Sequence, residues 1–181
     1  MEAKRTNKTK EMVMAGLMIA LAQILSYIKV YEMPYGGSVT AASMVPIIIF
    51  GLFYGLKSGL LAAFVYGVLQ FILGGGISLH PLSILMDYLL AFGVLGFSGL
   101  FYSQEKSLKK AVTGSLLASV LRYVMLVLSG VIVWGAYAPE GMGVWHYSIV
   151  YNLSYMLPET ILTLIVVALI YGKVYDWLQR S

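Results

Sequence analysis

Apolar residues fall in six runs, at about 11–30, 40–55, 58–73, 82–102, 109–133 and 148–172, separated by short polar or Gly/Pro-rich punctuation. A helix needs roughly 20 apolar residues to cross the hydrocarbon core of a bilayer, so the pattern predicts an all-α bundle of six membrane-spanning helices. The second and third runs are short, and the link Tyr54-Gly55-Leu56-Lys57-Ser58-Gly59 between them is tight. They are expected to form a hairpin of partly tilted helices. No internal repeat or low-complexity segment interrupts the series.

Composition narrows the class. The chain has 181 residues, 60% of them hydrophobic and 11% charged, with a mean hydropathy of +0.84. Those values lie outside the range of soluble domains. Six spans use up the chain, which leaves one transmembrane domain over 1–181, about 1–10 being a basic tail. A separate soluble catalytic or nucleotide-binding domain does not fit. Cysteine is absent, which excludes disulfides and thiolate metal sites.

The net charge of +4 does not mark a nucleic-acid binder, because the basic residues sit at the ends of apolar runs instead of forming one face. The N-terminal tail, Lys57, the Lys106/Lys109/Lys110 loop, Lys173 and Arg180 all fall on one side of a six-span layout. The other side carries only Lys29, with Glu32 and Glu140 in loops 31–39 and 135–147 and no charge in loop 74–81. The positive-inside rule then predicts cytoplasmic termini in a plasma-membrane protein. Lys4, Arg5, Lys8 and Lys10 before an apolar run imitate a signal peptide, but the run is long and no small-residue cleavage site follows, so it reads as a retained first helix.

The outward loops hold Tyr31, Tyr35, Trp134, Tyr137, Trp145, Tyr147 and Tyr151 together with Gly36-Gly37 and Gly74-Gly75-Gly76. They read either as an interfacial aromatic belt or as the walls of an outward-facing site. Three charges lie inside apolar runs: Asp87, Arg122 and Glu159. Charges at that depth normally face the bundle interior. Arg122 and Glu159 are near the midplane and read as a structural ion pair between spans five and six. Asp87, about 8 Å below the outer surface at ~1.5 Å per residue, follows Ser78-Leu79-His80-Pro81. It reads as a partner for a bound cation, or as a carboxylate satisfied by Arg122 or nearby hydroxyls. His80 and His146 have no companion at metal-ligand spacing, so no metal is expected.

Aromatic faces plus one carboxylate suit a flat cationic ligand. Trp134, Tyr147, Tyr151 and Asn152 bracket the last outer loop at the level of Asp87, and the Asn152 amide offers a donor and an acceptor to an aminopyrimidine edge. No nucleophile, general base and metal cluster converge as an enzyme would require, so no catalytic residue is assigned.

Several segments resemble one family: Met33-Pro34-Tyr35-Gly36-Gly37-Ser38-Val39-Thr40, Met44-Val45-Pro46-Ile47, His80-Pro81, Met86-Asp87-Tyr88-Leu89-Leu90-Ala91-Phe92 and Ser129-Gly130-Val131-Ile132-Val133-Trp134-Gly135-Ala136-Tyr137-Ala138-Pro139. Together they are similar to the thiamine-specific S-component of energy-coupling factor (ECF) transporters, through nearly all of 11–172. The resemblance implies a six-helix substrate-capture subunit, open to the outside, that docks on a transmembrane T-component driven by two cytoplasmic ATPases. It implies no cofactor and no chemistry. Its ligand contacts would be Asp87, Tyr88, Trp134, Tyr147 and Asn152, with Gly130 beside the ligand, thiamine or a related aminopyrimidine/thiazolium compound. Leu126 departs from the pattern, standing where members usually carry His four residues after the basic residue of span five.

Gly16 and Ala20, widened by Ala15 and Ala22, form a small-residue stripe on the first helix that permits close helix approach. The resemblance assigns Gly16 and Ala20 to T-component docking; internal packing against another span is the alternative. The rival functions are the same fold tuned to another vitamin or precursor, and a small membrane enzyme or assembly factor.

Overall fold

The structure, a computed structural model, describes residues 8–34, 36–74 and 80–180. Expectations that rest on Lys4, Arg5, Tyr35, Gly75, Gly76, Ser78 and Leu79 lie outside these residues. In chain order come α1 (Lys8–Tyr27), β1 (Lys29–Glu32), β2 (Ser38–Thr40), α2 (Val45–Tyr54), α3 (Leu56–Leu73), α4 (Pro81–Phe101), α5 (Leu108–Ile132) and α6 (Val144–Arg180). All but α2 are long and apolar enough to cross a membrane.

The second apolar run is not helical from its start. Residues 38–40 turn back on 29–32 as an antiparallel hairpin, with Tyr31 opposite Val39 and Glu32 opposite Ser38. Gly36 and Gly37 make the reversal at φ of 93° and 86°, a region glycine enters without strain. The β-branched Val39 and Thr40 favour the extended arm. Helix α2 begins only at Val45, with Pro46 in its first turn, and its ten residues are buried from Val45 to Leu52. It packs inside the bundle instead of presenting a lipid-facing span.

Helix α4 changes pitch along its length: α-helical at Pro81–Ser83, π-helical at Ile84–Leu90, α-helical again at Ala91–Gly93 and 3₁₀ at Val94–Phe101. Its glycines bring it onto α3 at backbone distance. A Cβ on Gly59 would stand 2.9 Å from the Gly96 carbonyl oxygen, and Gly99 faces the Gly55 backbone. Such contacts replace the hydrophobic driving force that is missing between helices in lipid.

At the end of the bundle bearing Lys57, Lys106 and Lys173, the α4–α5 loop is fastened to α6. Lys106 Nζ pairs with Asp176 at 2.7 Å, the Tyr175 hydroxyl donates to the Gln104 carbonyl, and the Ser107 hydroxyl accepts from the Lys110 N–H at the start of α5. The Ser58 hydroxyl donates to Glu11 at the same end, tying α1 to the first turn of α3.

Gly16 and Ala20 lie on the exposed face of α1, and a Cβ on Gly16 would meet nothing within 4 Å. The stripe is therefore not consumed by packing within the chain. Ala22, expected to widen it, is fully buried and belongs to the opposite face, because two residues past Ala20 a helix has turned by about 200°.

Candidate functional site

A cavity of about 560 Å³ lies at the bundle end opposite the lysine-bearing loops, between the ends of α1 and α3 on one side and α4, α5 and α6 on the other. Asp87, Tyr88, Gly130, Trp134, Tyr147 and Asn152 all line it. These six residues come from α4, the end of α5 and the residues just past it, and the start of α6, so the fold joins positions up to 65 apart in sequence.

The carboxylate of Asp87 is built in from two sides. Its Oδ2 accepts from the Ser83 hydroxyl at 2.8 Å and from the Trp134 indole Nε1–H at 3.0 Å. Oδ1 has no partner among the described residues and remains available to a ligand. Asp87 sits in the π-helical stretch Ile84–Leu90, a local widening that recurs where helices present functional side chains. The alternative reading of Asp87 as a partner of Arg122 is not realised.

Trp134 packs beside Tyr137 at 5.7 Å between ring centroids, and Tyr147 beside Tyr151 at 5.6 Å, so aromatic faces bound the cavity. Gly130 is needed by close approach: a Cβ there would collide with the Ser148 hydroxyl and lie 3.3 Å from Asn152 Nδ2. Leu126 also lines the cavity and contributes apolar wall.

Asn152 is held by the protein at both ends of its amide. Its Oδ1 accepts from the Tyr155 hydroxyl at 2.6 Å, and its Nδ2 donates to the Ser148 carbonyl at 2.9 Å with further contacts to Ser148 Oγ and the Leu126 carbonyl. Both ends of the amide are occupied within the protein. It braces α6 against α5 and orients Tyr155, and it lines the cavity with a second lone pair on Oδ1.

The expected ion pair between Arg122 and Glu159 is not made. Among the described residues the ion pairs are Lys29–Glu32 and Lys106–Asp176. Glu159 instead accepts the Thr40 backbone N–H and the Thr40 hydroxyl, each at 2.7 Å, which anchors β2 to α6. Arg122 places its Cζ 3.8 Å from the centroid of the Phe92 ring, a cation–π contact. Its Nε and Nη1 are buried without a partner. Both charged residues line the cavity, so they belong to the site. Their depth inside apolar runs was the signal for this; the competing assumption was that opposite charges on adjacent spans find each other.

The family described as Thiamine transporter protein (Thia_YuaJ) matches residues 12–178. The chain belongs to that family. Among its relatives, the thiamine transporter ThiT of Bacillus subtilis is 34% identical over 180 residues, covering 91% of this chain and 93% of that protein. The ThiT of Lacticaseibacillus paracasei is 33% identical over 175 residues, covering 86% and 83%. The fold is shared with solved ThiT from Listeria monocytogenes at a TM-score of 0.80 and 24% identity, covering 93% of this chain and 96% of that one. It is also shared with the S component of a bacterial ECF transporter at a TM-score of 0.65 and 23% identity, covering 95% and 99%. Family membership fixes the chain as a membrane-embedded transport protein and removes the enzyme and assembly-factor readings.

Proposed function

We propose that this chain is the substrate-capture subunit of an ECF importer, binding thiamine in the cavity between α3, α4, α5 and α6 and delivering it with a T-component and two ATPase subunits. The observation that carries this reading is the convergence of Asp87, Trp134 and Tyr147 on one cavity, with the free Oδ1 of Asp87 set among aromatic faces. A cationic ring between aromatic side chains gains stacking and cation–π attraction, and the carboxylate neutralises it. The unpartnered donors of Arg122 suit an acceptor on the second ring, since a buried donor left unpaired is costly and a ligand that satisfies it gains that energy.

The cavity is read as facing outward because Lys57, Lys106, Lys109, Lys110 and Lys173 lie at the other end. Lys29, the exception, is neutralised by Glu32 at 2.6 Å. The exposed Gly16/Ala20 face is read as the T-component surface. Purification in mild detergent followed by mass spectrometry of the bound small molecule tests the reading: thiamine should be released in near-stoichiometric amount, and recovery of another compound instead would overturn the substrate assignment.

A further inference from the structure

The side of the cavity facing away from α5 and α6 is walled by α1 and α3, and one side chain there is arranged to read a ligand. Gln70, on the last turn of α3, spends both hydrogens of its amide on α1: Nε2 donates to Gln23 Oε1 at 2.9 Å and to Ser26 Oγ at 2.8 Å. The Ser26 hydroxyl in turn donates to the Gln23 carbonyl at 2.7 Å, so the amide cannot rotate without breaking a closed set of bonds. With its hydrogen spent on that carbonyl, Ser26 Oγ accepts from the Gln70 amide, which turns Nε2 toward α1 and leaves Gln23 Nε2 as a buried donor without a partner among the described residues. The carbonyl Oε1 is left as the one polar atom of the side chain with no hydrogen bond among the described residues. Gln70 and Ser26 both line the cavity.

We infer that Gln70 is a specificity-determining residue whose Oε1 accepts a hydrogen bond from a hydroxyl on the bound ligand. This rests on the thiamine-capture reading above. The side of the ligand follows from packing. Helix α3 lies against the stretch of α4 that carries Asp87, with Gly67 at the Tyr88 carbonyl and the Phe71 ring 5.4 Å from that of Tyr88. Gln70 is one turn beyond Gly67, on the Asp87 side of the cavity. The ring held by Asp87 is the cationic one, and the donor attached to that ring in thiamine is its hydroxyethyl arm. An amide carbonyl fixed by two donated bonds accepts a hydroxyl proton and has no hydrogen left for an acceptor, so it favours a hydroxyl over a group that only accepts.

The test is calorimetric titration of the full-length protein in detergent with thiamine and with two analogues, one having the hydroxyl replaced by hydrogen and one having the exocyclic amine replaced by oxygen. The wild-type titration with thiamine checks the capture reading by itself; absence of binding there sinks that reading whatever Gln70 does. Gln70→Leu is expected to weaken thiamine about 3- to 15-fold, the size of one neutral hydrogen bond, and to leave the affinity for the deoxy analogue unchanged. Gln70→Glu keeps a carbonyl-type acceptor in place of the amide and is expected to retain the preference for thiamine over the deoxy analogue. If Gln70→Leu weakens thiamine and the deoxy analogue by the same factor, Gln70 is only a structural tie. If its penalty vanishes with the amine-replaced analogue instead, the assignment to the hydroxyl is overturned.

Discussion

Trp134 and Asp87, 47 residues apart, meet as indole donor and carboxylate acceptor at 3.0 Å, so the aromatic face and the negative charge of the site are positioned by each other. Replacing either member disturbs both. Asp87→Asn keeps the shape and removes the charge. It is expected to weaken thiamine by about 1.5–3 kcal/mol, the worth of a hydrogen bond to a charged group, while costing an uncharged pyrimidine fragment much less. Titration of the purified variant with both compounds measures the difference; equal losses would make the carboxylate a purely structural partner of Ser83 and Trp134.

Arg122 and Glu159 are expected to respond oppositely to substitution. Arg122→Met deletes two buried donors that have no protein partner, so thermal stability without ligand should stay the same or rise. The stabilisation given by saturating thiamine should shrink, because that term follows affinity. Glu159→Gln replaces an acceptor that serves both Thr40 donors and is expected to lower stability by about 1–3 kcal/mol. Melting curves with and without thiamine separate the two. Matching losses for both variants would restore the ion pair that the geometry lacks.

Much of this was legible in the chain because the strongest signals are local. Long apolar runs, lysine asymmetry and charges inside spans depend on composition within a window, and the six candidate ligand-facing residues do share one cavity. What escaped was set by packing between elements. The run from 40 reads as helical because Ala41, Ala42, Met44 and Val45 follow Thr40, yet Gly36-Gly37 reverses the chain and Thr40 is captured by Glu159 from 119 residues away. Asn152 offers a donor and an acceptor by its chemistry, but its bonds to the Tyr155 hydroxyl and the Ser148 carbonyl follow only from the packing of α6. Gln70 gave no sequence signal beyond a lone polar residue in an apolar run.

The exposed Gly16/Ala20 face is expected to matter for transport and not for binding. Replacing both with Trp should abolish thiamine uptake by cells carrying the complete transporter while the isolated subunit keeps its affinity. A parallel fall in binding would show that this face supports the cavity and is not a docking surface.

The proposed topology rests on the lysines and can be checked in intact cells. A cysteine at Gly141, on the exposed loop before α6, should react with a membrane-impermeant thiol reagent, and one at Ser107 should not. The native chain contains no cysteine to confuse the readout. The reverse labelling pattern would invert the protein in the membrane and place the cavity inside.

The central claim is that thiamine binds against Trp134 in this cavity, and titration calorimetry of wild-type protein beside Trp134→Ala tests it most directly. The account expects one thiamine per chain for the wild type and a loss of about 2–4 kcal/mol, roughly 30- to 1000-fold in affinity, for the variant, with helical content unchanged. Equal affinity in the two proteins, or no thiamine binding by the wild type, would contradict it.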